Sequence, residues 1–262
     1  MTIDTLKRLV TDYDQESPVS YRLNHESNSY HLSTMLGEFI KLRFTGRIFC
    51  CACGRKTSKS FNQGYCFPCM RSLPEADMCM LRPETCHFAE GTCRDENWAS
   101  SHCNTKHTVY LANGSGLKVG ITRQDPIKRW IDQGATQGLA AWTVNSRLDS
   151  GLVEASLKRH VADKTRWRKM LQSQAEPLDL LAERKKLEYL LPHKVNVQTG
   201  SKKIWEIRYP IAKYPDKIKS FNFDKNPDVA GHLQGIKAQY LILDTGVINI
   251  KKFRGYEVEI IV

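Results

Sequence analysis

The chain has 262 residues, a formal net charge of +11 and an isoelectric point near 9.2, with 41% hydrophobic and 26% charged residues. That composition suits one large or two to three small globular domains with real cores. No apolar run approaches the length of a membrane-spanning helix, and the excess of cations points to a polyanionic partner, nucleic acid before a membrane surface.

The first strand signal is Val19-Ser20-Tyr21-Arg22-Leu23, after Pro18. Residues 35–49 repeat it, with Ile40, Leu42 and Phe44 alternating with Lys41, Arg43 and Thr45 before a turn at Gly46. Then comes Cys50-x2-Cys53-Gly54 and, after twelve intervening residues, Cys66-x2-Cys69. Two such pairs make the tetrahedral cage of four thiolates that structural zinc prefers, and Gly54 suits the turn under the metal. Cys51 is the odd thiol and ligates only if Cys50 does not. Arg55, Lys56, Lys59 and Arg71 lie on or beside the loops.

Cys79, Cys86, Cys93 and Cys103 follow at spacings of x6, x6 and x9. A second zinc, an iron–sulfur cluster and plain buried thiols are all compatible with this set, and His87 or His102 is able to replace one cysteine. The start Met1-Thr2-Ile3-Asp4 has no signal-peptide core, so the expected compartment is the cytoplasm, where nine cysteines stay reduced.

His107–Ala112 and Leu117–Thr122 read as a hairpin around Asn113-Gly114-Ser115-Gly116. Pro126 opens a helix bearing Lys128, Arg129, Trp130 and Gln133; Gly134 and Gly138 follow it, then a strand at Ala141–Val144. A further helix, from about Ser150, carries Glu154, Lys158 and His160, and another spans Leu178–Leu191. Short strands are expected at Ile204–Tyr209, Ile218–Phe223, Ala238–Leu243, Val247–Ile250 and Val258–Val262, with a hairpin turn at Asp244-Thr245-Gly246.

Neither terminal segment has enough strands alone, so the two are expected to pair. The predicted class is α+β: a small β-domain from both chain ends, an inserted zinc ribbon and a central α/β unit. The expected segments are 1–49, 50–104, 105–175 and 176–262.

The central segment resembles the GIY-YIG endonuclease superfamily. Val109-Tyr110-Leu111 matches the first motif and Lys118-Val119-Gly120 the second, with Arg129 at the arginine position and Glu154 at the metal-binding glutamate position. Lys118 stands where the second tyrosine is usual. The resemblance implies hydrolysis of a phosphodiester with Glu154 on Mg2+ or Mn2+, Tyr110 positioning water and Arg129 clamping phosphate. It also implies a phosphate-contacting face of Lys118, Arg123, Lys128 and Arg129. More plainly, Tyr110, Trp130 and Trp142 are packing residues, and Arg129 and Glu154 an ion pair.

Most of the chain also looks like a bacterial family known mainly as a domain of unknown function. The strings carrying this are Phe61-Asn62-Gln63-Gly64-Tyr65-Cys66-Phe67-Pro68-Cys69, Gly91-Thr92-Cys93-Arg94-Asp95, Lys118-Val119-Gly120-Ile121-Thr122-Arg123 and Arg129-Trp130-Ile131-Asp132-Gln133-Gly134-Ala135. Two functions stand beside each other: a zinc-containing binder of DNA or RNA, with the ribosome among its partners, that keeps the nuclease scaffold as a grip; or a metal-dependent nuclease.

Overall fold

The computed structural model of the protein describes residues 2–24, 29–123, 125–161 and 165–262. Helices and mostly antiparallel strands are mixed, which makes the class α+β. The chain divides into two compact units, one of Met1–Arg71, Leu171–Ser173 and Arg208–Val262, the other of Ser72–Met170 and Gln174–Ile207. No helix among the described residues is long and apolar enough to cross a membrane.

The first unit grows from the strand Phe39–Phe49. Its period of two puts Ile40 and Leu42 in the core and leaves Arg43 exposed. One edge pairs antiparallel with Tyr256–Ile261, which Thr2–Thr5 extends; the other pairs with Asp228–Lys237. The two ends of the chain therefore share one sheet. Beyond Asp228–Lys237 the sheet continues through Tyr240–Leu243 and Gly246–Asn249. The expected turn is a two-residue hairpin, with Leu243 opposite Gly246 and Asp244 Oδ1 accepting the His232 N–H at 2.9 Å. The signal at Val19–Leu23 is the strand Ser20–Asn24, between Val10–Asp12 and Ser29–His31 in a small separate sheet.

Three expectations need correction here. Gly46 does not end its strand: at φ 84° it sits in a bulge between the pairs Phe44–Val258 and Ile48–Tyr256. The extra residues turn onto Glu257 Oε1, which accepts from Thr45 Oγ1 and from Arg47 Nε, each at 2.7 Å. Ile218–Phe223 forms no strand, only a bridge from Ser220 to Val247. Of Ile204–Tyr209 only Ile204–Glu206 is a strand, and it pairs with Gln137–Leu139 in the second unit.

In that second unit His107–Asn113 is the middle strand, flanked by Leu117–Thr122 and Gln137–Val144. Its odd positions Val109 and Leu111 join Val119, Leu139, Val153, Leu157, Leu180 and Leu187 in one core. This packs the helices Arg147–Leu157 and Leu180–Leu187 on that face. Ser146, whose hydroxyl accepts from Asp149 N, caps the first of these, so it starts before Ser150. The opposite face holds Tyr110, Ala112, Gly120, Gly138 and Ala140, and the helix Pro126–Asp132 covers it. Small residues are needed there: a Cβ on Gly120 would lie 2.4 Å from the Tyr110 hydroxyl, and one on Gly138 2.4 Å from the Trp130 ring. Trp130 and Trp142 are both buried, as packing residues.

Candidate metal centre and the Tyr110 site

The long strand Phe39–Phe49 delivers Cys50 to the end of the first unit's sheet. A tight turn follows, closed by Gly54 N–H donating to Cys50 O at 2.9 Å, with Gly54 in the left-handed region at φ 70°. A second tight loop, Phe61–Tyr65, brings in Cys66, and the short helix Phe67–Ser72 carries Cys69. The ligand atoms of Cys50, Cys53, Cys66 and Cys69 all lie within 4.8 Å of one another. Cys53 Sγ and Cys66 Sγ are 3.8 Å apart. A tetrahedron with metal–sulfur bonds of about 2.3 Å has edges of about 3.8 Å, so the spacing fits zinc. The four cysteines can hold a zinc ion.

The thiols of the cage differ in acidity. Burial opposes the Cys50 thiolate, but the backbone N–H groups of Cys53, Cys66 and Ala52 around its sulfur outweigh it and bring the pKa down to about 6. Cys69 is pushed up to about 12, first by its contact with the Cys66 thiol, then by that with Cys53 and by burial. Within the cage the Cys69 proton is held by its neighbouring thiols, and a metal ion would have to displace it to take all four thiolates. Cys51 is not part of the cage. Its sulfur packs against Gly64, and burial pushes its thiol up. Arg55, Lys56, Lys59 and Arg71 are exposed around the site.

In the second unit Cys79, Cys86, Cys93 and Cys103 line one small cavity together with His87 and Asp77. Asp77, Cys79 and His87 offer ligand atoms within 4.8 Å of one another. His102 is elsewhere: its ring stacks on Trp98 at 4.3 Å and its Nδ1 lies 3.0 Å from Trp98 O.

Tyr110 is fully buried, its ring at right angles to Trp130 and its hydroxyl donating to Gln133 Oε1 at 3.0 Å. Burial raises its pKa, and the neighbouring Arg129 guanidinium offsets only part of that, so the phenol is protonated at neutral pH. Glu154 is in electrostatic range of both Tyr110 and Arg147, and Arg147 in range of Arg129. Tyr110 thus feels both Arg129 and Glu154, from a fully buried position. Lys128 and Arg129 are exposed, while Arg123 is half-buried and donates to Ser101 O at 3.2 Å. Lys118 turns toward a small cavity shared with Gln133 and Thr165.

Arg147 and Asp77 were not singled out from sequence, and Gln133 was named on its helix without a role. Only Asp77, two residues before Cys79, carried a local hint. Among the described residues Glu154 belongs to no group of three candidate metal ligands. One carboxylate is a poor fit for Mg2+ or Mn2+, which want several oxygens.

A family model described as "Protein of unknown function (DUF2797)" matches residues 37–258, and the chain belongs to that family. No curated protein and no solved structure matches it.

Proposed function

We propose that this DUF2797 member is a zinc-containing nucleic-acid-binding protein that uses a GIY-YIG-like scaffold as a grip rather than a blade. The observation that carries this is the state of the two catalytic candidates beside each other. Tyr110 is buried and protonated, while its neighbour Arg129 is exposed at the surface. A sealed phenol cannot activate water, but an exposed guanidinium still forks a phosphate. Lys128 adds a second exposed cation on the same helix, and Arg123 and Lys118 are the remaining phosphate contacts of this reading. Zinc in the Cys50/Cys53/Cys66/Cys69 cage is structural: all four positions are taken by protein, leaving none for substrate. The exposed cations around it, Arg55, Lys56, Lys59 and Arg71, supply further phosphate contacts.

The electrostatic influence of both Arg129 and Glu154 on Tyr110 favours a second reading, a nuclease. One experiment separates the two. The purified chain is mixed with labelled single- and double-stranded DNA and RNA at low salt, with and without Mg2+ or Mn2+. Binding and product length are then read together. Salt-sensitive binding that Arg129→Glu weakens, with intact nucleic acid throughout, is the expected result. Metal-dependent cleavage abolished by Glu154→Gln would establish the nuclease instead, and no binding to any of the probes would remove both.

A further inference from the structure

We infer that Cys79, Cys86, Cys93 and Cys103 form a second tetrahedral site for a thiophilic divalent ion, zinc in first place, and that this ion fixes the helix carrying Glu154. The four cysteines line one small cavity, and an ion would draw their sulfurs together; among the described residues there, the ligand atoms already within 4.8 Å of one another are those of Cys79, Asp77 and His87. Cys79 lies within electrostatic range of Cys86 and Cys103, and Cys103 within range of Cys86 and Cys93. None is in a disulfide. Binding releases the four thiol protons to solvent and leaves a divalent ion in four thiolates, with a net charge of two minus. Arg147, which is in range of Cys103 and Cys79, offsets one of those two charges.

The segment needs such a cross-link. Between Ser72 and Asn104 the elements are the short 3-10 turns Pro74–Ala76, Met78–Met80, Pro83–Thr85 and Phe88–Glu90 and the seven-residue helix Glu96–His102. Only Asp77, Pro83, Ala99 and Cys103 are buried there. Helices this short do not persist on their own, and so small an apolar core cannot offset the entropy of ordering the segment. Metal ligation is how chains of this kind are held.

Asp77 and His87 belong to the surroundings of the ion rather than to its ligands. Asp77 Oδ2 is held by Arg94 Nε at 2.6 Å, and its Oδ1 accepts from Cys79 N at 3.2 Å. His87 places Nε2 3.5 Å from Asp77 and Nδ1 2.7 Å from Thr92 Oγ1, so both ring nitrogens are engaged. Carboxylates and imidazoles so placed orient the ligands around a metal.

The same segment grips the helix Arg147–Leu157. Arg147 N donates to Cys103 O and Arg147 Nη2 to Met80 O, each at 2.7 Å. At Gly151 a Cβ would meet Glu84 N at 2.5 Å, so the helix lies directly on the turn Pro83–Thr85. Lys158 and Glu84 close the contact at 3.2 Å. Neither the ligands nor the grip depends on nucleic-acid binding.

The test uses the full chain supplied with Zn2+ alone. Elemental analysis of the wild type is expected to give two zinc ions per chain, with a sulfur-only shell by X-ray absorption. Cys86→Ser with Cys93→Ser keeps one, as does Cys53→Ser with Cys69→Ser, and His87→Ala keeps both. Hydrogen exchange in 147–157 should quicken at least tenfold in the Cys86/Cys93 pair and stay unchanged in the Cys53/Cys69 pair. If the Cys86/Cys93 pair does not fold, stepwise chelation of the wild type followed by exchange in 147–157 gives the same answer. One ion in the wild type, two in the Cys86/Cys93 pair, or a loss on His87→Ala overturns the ligand set. Unchanged exchange in 147–157 after that ion leaves overturns the grip.

Discussion

Tyr110 and Gly120 face each other across the hairpin, and the aromatic ring uses the space a side chain would fill. Gly120→Ala puts a methyl group 2.4 Å from the hydroxyl and 2.5 Å from the ring, so the ring must move and its bond to Gln133 stretch. Overpacking of this kind costs about 1–3 kcal/mol, and urea unfolding of the variant should show it; an unchanged midpoint would place the ring elsewhere. Lys237 makes a second prediction. It is fully buried beneath Tyr209 and Tyr214, with Nζ 3.3 Å from Ser173 O, and burial lowers its pKa to about 8 from 10.5. Between those values the unfolded chain holds more protons than the folded one, so this residue adds stability as pH rises from about 8 to 10.5. Below about 8 both states are charged and a constant penalty remains. Lys237→Met removes it, and denaturation at pH 7 should show a gain of roughly 1–2 kcal/mol once the lost bond to Ser173 is set against about 1.4 kcal/mol per pKa unit. A destabilised variant would mean that the bond and the rings outweigh the burial. Nothing in the sequence marks this lysine as buried, because its environment comes from residues far along the chain.

At the scale of elements, legibility follows sequence distance. Cys50, Cys53, Cys66 and Cys69 could be grouped from spacing because two tight turns and a short helix are enough to close the cage. The choice between Cys50 and Cys51 could not be made that way. It depends on Gly64, which backs onto the Cys51 sulfur and accepts the Cys51 N–H at 2.7 Å, turning that side chain out. The Cys79 set was legible only as a cluster, since irregular turns between its members carry no periodicity. The cage also predicts a pH dependence. Its ligands must be deprotonated to hold metal, so falling pH lets protons compete and the stability that zinc supplies to the first unit is lost. Zinc release into a chromogenic chelator should accelerate sharply from pH 7.5 to 5.5. Rates independent of pH would argue against a thiolate cage.

Over the whole molecule, the pairing of the chain ends was legible because each end carries alternating strands without partners of its own. The strand between them, Asp228–Lys237, was not: Gly231, His232 and Gly235 break its apolar rhythm, and it is a strand because Phe39–Phe49 and Tyr240–Leu243 both pair with it. The short strand Ile204–Glu206 was placed at the wrong sheet for the same reason, since three residues carry no sign of their partner. Charge is the other property of the whole chain, and it leads to the last prediction. A net +11 attracts any polyanion at long range, so binding alone does not locate a site. Lys128→Glu with Arg129→Glu and Lys202→Glu with Lys225→Glu change the total charge equally, and all four residues are exposed. If affinity reflects total charge, the two pairs weaken binding alike. If Lys128 and Arg129 touch phosphates, only their pair removes counterion release, and the slope of log K against log salt should become shallower by about 1.4–1.8, at 0.7–0.9 per contact. Anisotropy titrations of both variants over a salt series decide this. Equal slopes in the two pairs would move the nucleic-acid face away from the helix Pro126–Asp132 and leave its two cations as ordinary surface charge.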